Sequence, residues 1–320
     1  MSSIEYPTKT IIEEAHDRIR GYIHRTPILT CQTLNKLAGA ELYFKCENFQ
    51  KIGAFKARGG VNSVLSMSKE EQARGIATHS SGNHAQAIAY AAAVVGTKAY
   101  IVMPDNSPEV KVKAVRGYGA EITFCVNTPE EREKTLQAVV KRTGASFVHP
   151  FNDFRVIAGQ ATAAKEVFED LSFTLDTIMA PVGGGGLLSG TALAAHYFSP
   201  TTQVIAGEPE GAADAVLSFH TGKVERAPFV KTIADGLLTP LGDLTLDIIR
   251  RHVKDIQLVS EEEIIEAMRL IWERMKIIIE PSCAVPFAAL LRNKEQFKGQ
   301  QIGIILTGGN VDLGKLPFSG

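Results

Sequence analysis

Lys56 stands in the stretch KIGAFKARGG at 51–60, after the aromatic Phe55 and before Arg58-Gly59-Gly60. An ammonium in half-apolar surroundings loses solvation and its pKa falls. The neutral amine can then form an imine with a carbonyl or take a proton from carbon. A lone lysine is ordinarily a solvated surface charge, so the weight comes from two further stretches, HSSGNH at 79–84 and the tetrad Gly183, Gly184, Gly185 and Gly186. The tetrad follows the apolar run DTIMAPV and precedes a helical pattern. Backbone N–H groups there can close on an anion while the helix N-terminus adds partial positive charge, which is the chemistry of a phosphate site. A plain strand-to-helix turn would use the same residues. A GxGxxG dinucleotide fingerprint does not fit, because that spacing and its early acidic partner are missing. HSSGNH stands at another strand-to-helix turn, where serine and asparagine cap helices and successive N–H groups can hold a carboxylate.

Two more places could carry chemistry. Thr307, in LTGGN, ends an apolar strand, and ligands in open α/β sheets sit beyond the carboxyl ends of strands. The acidic stretch EPEGAAD at 208–214 offers carboxylate and carbonyl oxygens to a hard cation. A solvated acidic loop would read the same way.

These residues need elements to position them. Thr10-Ile11-Ile12-Glu13 reads as a capping box opening a helix to about residue 20, and Thr26-Pro27 breaks regular structure. A strand over 41–46 leads to the Lys56 loop, with a helix over 60–67. Then come strands over 75–79, 99–103, 121–125 and 146–149, alternating with helices over 83–95, 108–115 and 129–142. The alternation restarts with a helix over 156–171, a strand over 176–181, a helix over 187–196 and a strand over 203–207. A loop-rich stretch with Pro228 and Pro240 follows. A strand over 255–259, a helix capped at Ser260 and reaching about 276, a helix over 284–291 and a strand over 302–306 complete the chain. Strands alternating with helices make parallel sheets wound on both faces.

Composition is that of a globular chain, 45% hydrophobic and 22% charged, and a net charge of -1 gives no footing for nucleic acid or an anionic membrane. No apolar run reaches bilayer length, and MSSIEYPTKT has no signal-peptide pattern. The four cysteines are scattered among apolar neighbours and read as reduced thiols of a cytoplasmic protein. The eight histidines form no HExxH or i,i+4 pair.

Taken in order, GAFKARGG, HSSGNHAQ, GGGG and LTGGN resemble the fold-type II pyridoxal phosphate enzymes of the serine racemase and serine/threonine dehydratase family. The resemblance spans residues 10–315. It implies an α/β fold of two open, twisted, mostly parallel sheets flanked by helices, like the tryptophan synthase β chain. A small domain over 75–150 would be inserted in a large one made of 1–74 and 151–320. Pyridoxal 5'-phosphate would be held as an imine by Lys56, with Phe55 against its ring and Asn83 on its ring hydroxyl. Gly183, Gly184, Gly185 and Gly186 would hold its phosphate, and Thr307 its pyridine nitrogen. Ser80, Ser81, Gly82, Asn83 and His84 would hold the substrate, with Arg132 and Asn152 at polar positions near the cleft. Arg132 reads equally well as a solvated helix charge. Glu208, the Ala212 carbonyl and Asp214 would ligate Mg²⁺, Ca²⁺ or Mn²⁺. SSGNH, where many dehydratases have SAGNH, places a hydroxyl at Ser81, which in the racemases is the acid/base opposite the lysine. A helix cap would also use it. HPFND around Asn152 is nearer to the dehydratase pattern.

The expected enzyme is a homodimer that interconverts L- and D-serine. It also eliminates water from serine, L-threo-3-hydroxyaspartate or threonine to give a 2-oxo acid and ammonia. A catabolic dehydratase without racemisation is the alternative; from another class, the alternative is a non-catalytic ligand-binding protein on the same fold. HSSGNH disfavours a cysteine-synthase-like β-replacement enzyme. The chain stops soon after LTGGNVDLGKL, so no C-terminal regulatory domain of the threonine-deaminase kind is expected.

Overall fold

The computed structural model describes residues 5–107 and 109–318. The first helix, α1 (Lys9–Ile19), starts earlier than the expected Thr10 box. Thr8 is its cap and accepts from the Ile11 N–H, and Ile12, Ala15 and Ile19 form the buried stripe. After Pro27 come β1 (Ile28–Leu29), α2 (Gln32–Ala38) and β2 (Glu41–Cys46), with Gly39 ending α2 at φ 69°. Next is α3 (Lys56–Leu65), which opens ahead of the expected residue 60, so Lys56 lies on its first turn and not in the preceding loop.

Arg58 explains that early start. Its side chain is fully buried and donates to Glu47 at 2.7 and 2.8 Å and to Glu166 at 2.8 and 2.7 Å. Lys45 also donates to Glu166, at 2.6 Å. Two cations and two carboxylates therefore satisfy one another inside the molecule.

The chain then builds a small sheet. In order come α4 (Lys69–Ala73), β3 (Ile76–His79), α5 (Asn83–Val95), β4 (Ala99–Pro104), α6 (Glu109–Gly117), β5 (Glu121–Cys125), α7 (Pro129–Thr143) and β6 (Ser146–Phe147). Its strands run parallel in the order β5-β4-β3-β6. Pro108, the expected first residue of the helix over 108–115, lies outside the described residues.

The return run is α8 (Phe154–Asp170), β7 (Thr177–Pro181), α9 (Gly186–Phe198), β8 (Gln203–Pro209), α10 (Asp214–Thr221) and α11 (Asp243–His252). It ends with β9 (Asp255–Val259), α12 (Glu261–Met275), α13 (Pro281–Arg292) and β10 (Gln301–Leu306). The Ser260 cap on α12 is a full capping box with Glu263. The six-stranded sheet has the order β1-β2-β10-β7-β8-β9, parallel except for β1. The last strand thus sits in its middle. This is the expected α/β architecture of two mostly parallel sheets flanked by helices. Buried apolar clusters line both faces of the large sheet, the α12–α13 side holding Phe44, Met268 and Phe287, the α8–α9 side Ile157, Leu188 and Leu193. Among the described residues no helix is long and apolar enough to cross a membrane.

Candidate active site

The carboxyl ends of β3, β7 and β10 carry the three motifs, and α3 brings the lysine beside them. The Lys56 ammonium donates to the Pro150 carbonyl at 2.9 Å and lies 5.3 Å from the centre of the Phe55 ring. Burial pushes its pKa down to about 8. The Phe55 N–H donates to the Thr307 carbonyl at 3.0 Å, and Ala54 bridges Gly308, so the end of β10 is stitched to the lysine turn. Just upstream, Ile52 is held at φ 60°, a left-handed conformation costly for a β-branched residue. The Asn310 amide donating to its carbonyl at 2.8 Å helps hold it.

The glycine tetrad has no room for side chains. A Cβ on Gly184 would stand 2.2 Å from the Phe151 ring, and one on Gly183 2.9 Å from Leu237. Gly185 is the residue before α9 and has φ 88°. The bare backbone at the N-terminus of a long buried helix is a cradle that fits a cofactor phosphate. Thr307, 3% exposed at the end of β10, offers a hydroxyl and no carboxylate.

On the HSSGNH turn the Ser80 N–H donates to Val102 at 3.0 Å and the Gly82 N–H to the Ser80 hydroxyl at 3.2 Å. Gly82 is the residue before α5, and no side chain caps that helix. Ser81 is therefore not a helix cap. Asn83 donates to Glu280 at 2.8 Å and accepts from Asn310 at 2.8 Å, which fixes its amide. One of its N–H groups is left over for a ligand.

His84 is 3% exposed, and burial holds its imidazole well below the usual range and so neutral. His149 accepts at Nδ1 from the N–H groups of Phe151 and Asn152, at 3.2 and 2.9 Å, and burial holds it down to about 4. Burial lowers His79 as well. The imidazoles around Lys56 are thus uncharged and do not compete with it for an anion.

Arg132 is half-buried on α7. It donates to Asn127, while its Nε is enclosed without a partner, which a solvated helix charge would not be. Asn152 donates to Asp243 at 2.6 Å and accepts from the Leu244 N–H at 3.1 Å, so both ends of its amide pin the start of α11.

The acidic stretch is not a solvated loop: Glu208 is 1% and Asp214 2% exposed. Glu208 accepts from the N–H groups of Ala215 and Val216, at 2.6 and 2.9 Å, at the head of α10. One Asp214 carboxylate oxygen is buried with no partner. Burial lifts Glu208 to about 8 and Asp214 to about 6. Among the described residues no three His, Cys, Asp or Glu side chains gather as a cation site. The unpartnered oxygen nevertheless fits a cation held by two carboxylates and the buried Ala212 backbone.

Two residues here have no sequence motif of their own. Glu280, before the Pro281 that opens α13, is buried and pushed up to about 8 by burial first and then by Asp235. Its signal was only a carboxylate in an apolar IIIEPS run. Lys111, on α6, reaches Asp235 across the gap between the sheets.

Comparisons with known proteins agree with this geometry. The family model described as "Pyridoxal-phosphate dependent enzyme" matches residues 19–308. The chain is 50% identical to a beta-hydroxyaspartate dehydratase of Paracoccus denitrificans, covering 98% of this chain and 99% of that one. It is 50% identical to a serine racemase of Dictyostelium discoideum, covering 95% of each. The structure of maize serine racemase superposes with a TM-score of 0.95 at 42% identity, covering 97% of this chain and 95% of that one. With a half-buried lysine of lowered pKa, a glycine turn without room for side chains and a strand-end hydroxyl at its centre, and matched over nearly its whole length, this chain belongs to the family of pyridoxal-phosphate dependent enzymes.

Proposed function

We propose that the chain is a serine racemase that also eliminates water from serine or L-threo-3-hydroxyaspartate, releasing a 2-oxo acid and ammonia. One observation carries the reading: the turn before α5 presents a serine hydroxyl that caps nothing, in the same site as a lysine that burial lowers to about 8. Gly183, Gly184, Gly185 and Gly186 would hold the cofactor phosphate, Asn83 the ring hydroxyl and Thr307 the ring nitrogen. When bound, pyridoxal phosphate supplies an electron sink for the carbanion at Cα. The neutral Thr307 hydroxyl leaves that sink weaker than an aspartate would. Within the turn from Ser80 to His84, N–H groups other than those of Ser80 and Gly82, which are already engaged, would hold the substrate carboxylate, with Arg132 at the rim. Lys56 takes the Cα proton from one face, and Ser81 returns one to the other, which inverts the centre. Elimination needs only the Lys56 face and loss of the β-hydroxyl. Asn152 acts by holding the loop of Phe151 against the glycines.

Glu208, Asp214 and the Ala212 carbonyl would bind Mg²⁺, Ca²⁺ or Mn²⁺, supported by the unpartnered buried oxygen of Asp214. We further place the domain boundaries at 74/75 and 150/151, and read the protein as a cytoplasmic homodimer. A second reading, a dehydratase without racemisation, is favoured by the relatives named for dehydration. Incubating the holoenzyme with L-serine and with L-threo-3-hydroxyaspartate separates the two. D-serine beside pyruvate supports the racemase, and pyruvate or oxaloacetate without D-serine supports the dehydratase. None of these products refutes both.

A further inference from the structure

One ion pair at the mouth of the site has no part in the chemistry above. Lys111 comes from α6 beside the small sheet, and its ammonium donates to Asp235 in a short 3-10 turn (Asp235–Leu237) beside the large sheet. The same ammonium stands 3.8 Å from where a side chain on Gly82 would begin, so the charge lies against the substrate turn. The lysine side chain is 14% exposed and the aspartate 48%. The cation is the enclosed member and the carboxylate is the one free to swing into water. Glu280 is the neighbouring acid that senses both, and burial lifts it to about 8. It is therefore largely protonated at neutral pH and does not replace Asp235 as the counter-charge.

A partly desolvated ammonium needs an anion beside it. Asp235 supplies that anion from a solvated position next to the turn that takes the substrate's α-carboxylate. An amino acid carrying a second carboxylate on Cβ can supply the same anion itself. We propose that Lys111 and Asp235 set the preference between monocarboxylic and dicarboxylic β-hydroxy amino acids. Lys111 pairs with the second carboxylate of the substrate, and Asp235 is the internal carboxylate it displaces. L-serine leaves the pair intact. This assignment rests on the reading of the site as one for β-hydroxy amino acids.

The test is the ratio of kcat/KM for L-threo-3-hydroxyaspartate to that for L-serine in the holoenzyme. Asp235→Asn frees the ammonium and removes a repelling charge, and should raise the ratio about tenfold, the scale of one close charge pair. Lys111→Met should lower it by about as much, and Lys111→Arg should keep it near the parent value. A ratio that stays put in Asp235→Asn and Lys111→Met, or moves the same way in both, overturns the proposal. Calorimetric binding of L-malate and L-lactate to the same proteins needs no turnover. Tighter malate binding in the parent, lost in Lys111→Met, upholds the pair's role; an equal malate-to-lactate ratio in both proteins overturns it. A parent that turns over neither amino acid defeats the reading of the site instead, and the malate result still decides the role of Lys111.

Discussion

A lysine is useful to this site because it is only half convinced of its charge. Burial brings Lys56 to about 8, so at pH 7 about a tenth is free base, while the imidazoles of His79, His84 and His149 are held neutral and contribute no competing positive charge. Lys56→Ala should abolish both the visible absorption of the lysine-bound cofactor and all turnover, since one amine is both tether and base. Racemisation surviving in that variant would end the assignment. Ser81 separates the two activities. Ser81→Ala should cut D-serine formation by about 10²–10⁴-fold, the usual contribution of an acid/base group, while elimination from L-serine persists in part. An unchanged ratio of D-serine to pyruvate would make Ser81 a bystander. Residues of this kind were legible in the sequence because each sits in a local word, GAFKARGG, HSSGNH or LTGGN. Glu280, Lys111 and Asp235 were not: each matters through a partner far away in the chain, and a lone charged residue carries no spacing from which that partner could be inferred.

At the scale of elements, the first turn of α3 must hold the lysine still, and Arg58 does that. It ties the helix to Glu47 after β2 and to Glu166 on α8 without contact to water. Arg58→Ala leaves Glu166 with Lys45 as its one cation and Glu47 with only the neutral donors Thr26 and Gln50. The loss should be about 3–5 kcal/mol, read as a lowered midpoint in urea unfolding at constant m-value. A shift under about 1 kcal/mol would mean that the cluster is hydrated and of little account. The same helix marks where sequence reasoning fell short. Gly59 and Gly60 argue against a helix start at 56, yet they are what allows close packing: a Cβ on Gly59 would stand 2.8 Å from the Val156 carbonyl, and one on Gly60 2.9 Å from Ala87. Tertiary contact overrode propensity. Helices α10 and α11 were hidden for another reason. Their flanks are rich in glycine, proline and acid, and a buried Glu208 side chain, not a sequence-local cap, satisfies the head of α10.

For the whole molecule, the buried carboxylates make stability depend on pH. Glu208 and Asp214 rise from 4.5 and 3.8 to about 8 and about 6, and Glu280 rises likewise to about 8. Acids that hold protons more tightly when folded stabilise the fold fully below their unfolded pKa. That advantage is lost as pH rises through the folded values. The buried neutral imidazoles of His79, His84 and His149 work in the opposite sense up to about pH 6.5, so protein stripped of divalent ions should show its fall in melting temperature chiefly from about pH 6 to about pH 8. Mg²⁺ at the proposed Glu208–Asp214 site would require the ionised pair, so its gain in Tm should be larger at about pH 8 than at about pH 5.5. Asp214→Asn should remove most of that gain and flatten part of the slope. An equal Mg²⁺ gain in the variant would place the ion elsewhere. The fold class was readable from the alternation of strands and helices. The strand order was not, because parallel neighbours are chosen by crossovers that no local pattern records.

The central place of β10 bears on how a ribosome makes this protein. Residues 76–147 contain every strand of the small sheet and emerge together, so that sheet can pair while synthesis continues. The large sheet cannot. Until residues 301–306 leave the exit tunnel, β2 and β7 each present an open edge to their surroundings. A nascent chain paused there is a target for holdase chaperones and for aggregation. Thr307 follows directly behind β10, so the proposed cofactor site would become whole only when the sheet closes. Binding of pyridoxal phosphate would then report, in the same event, that translation of the fold is complete.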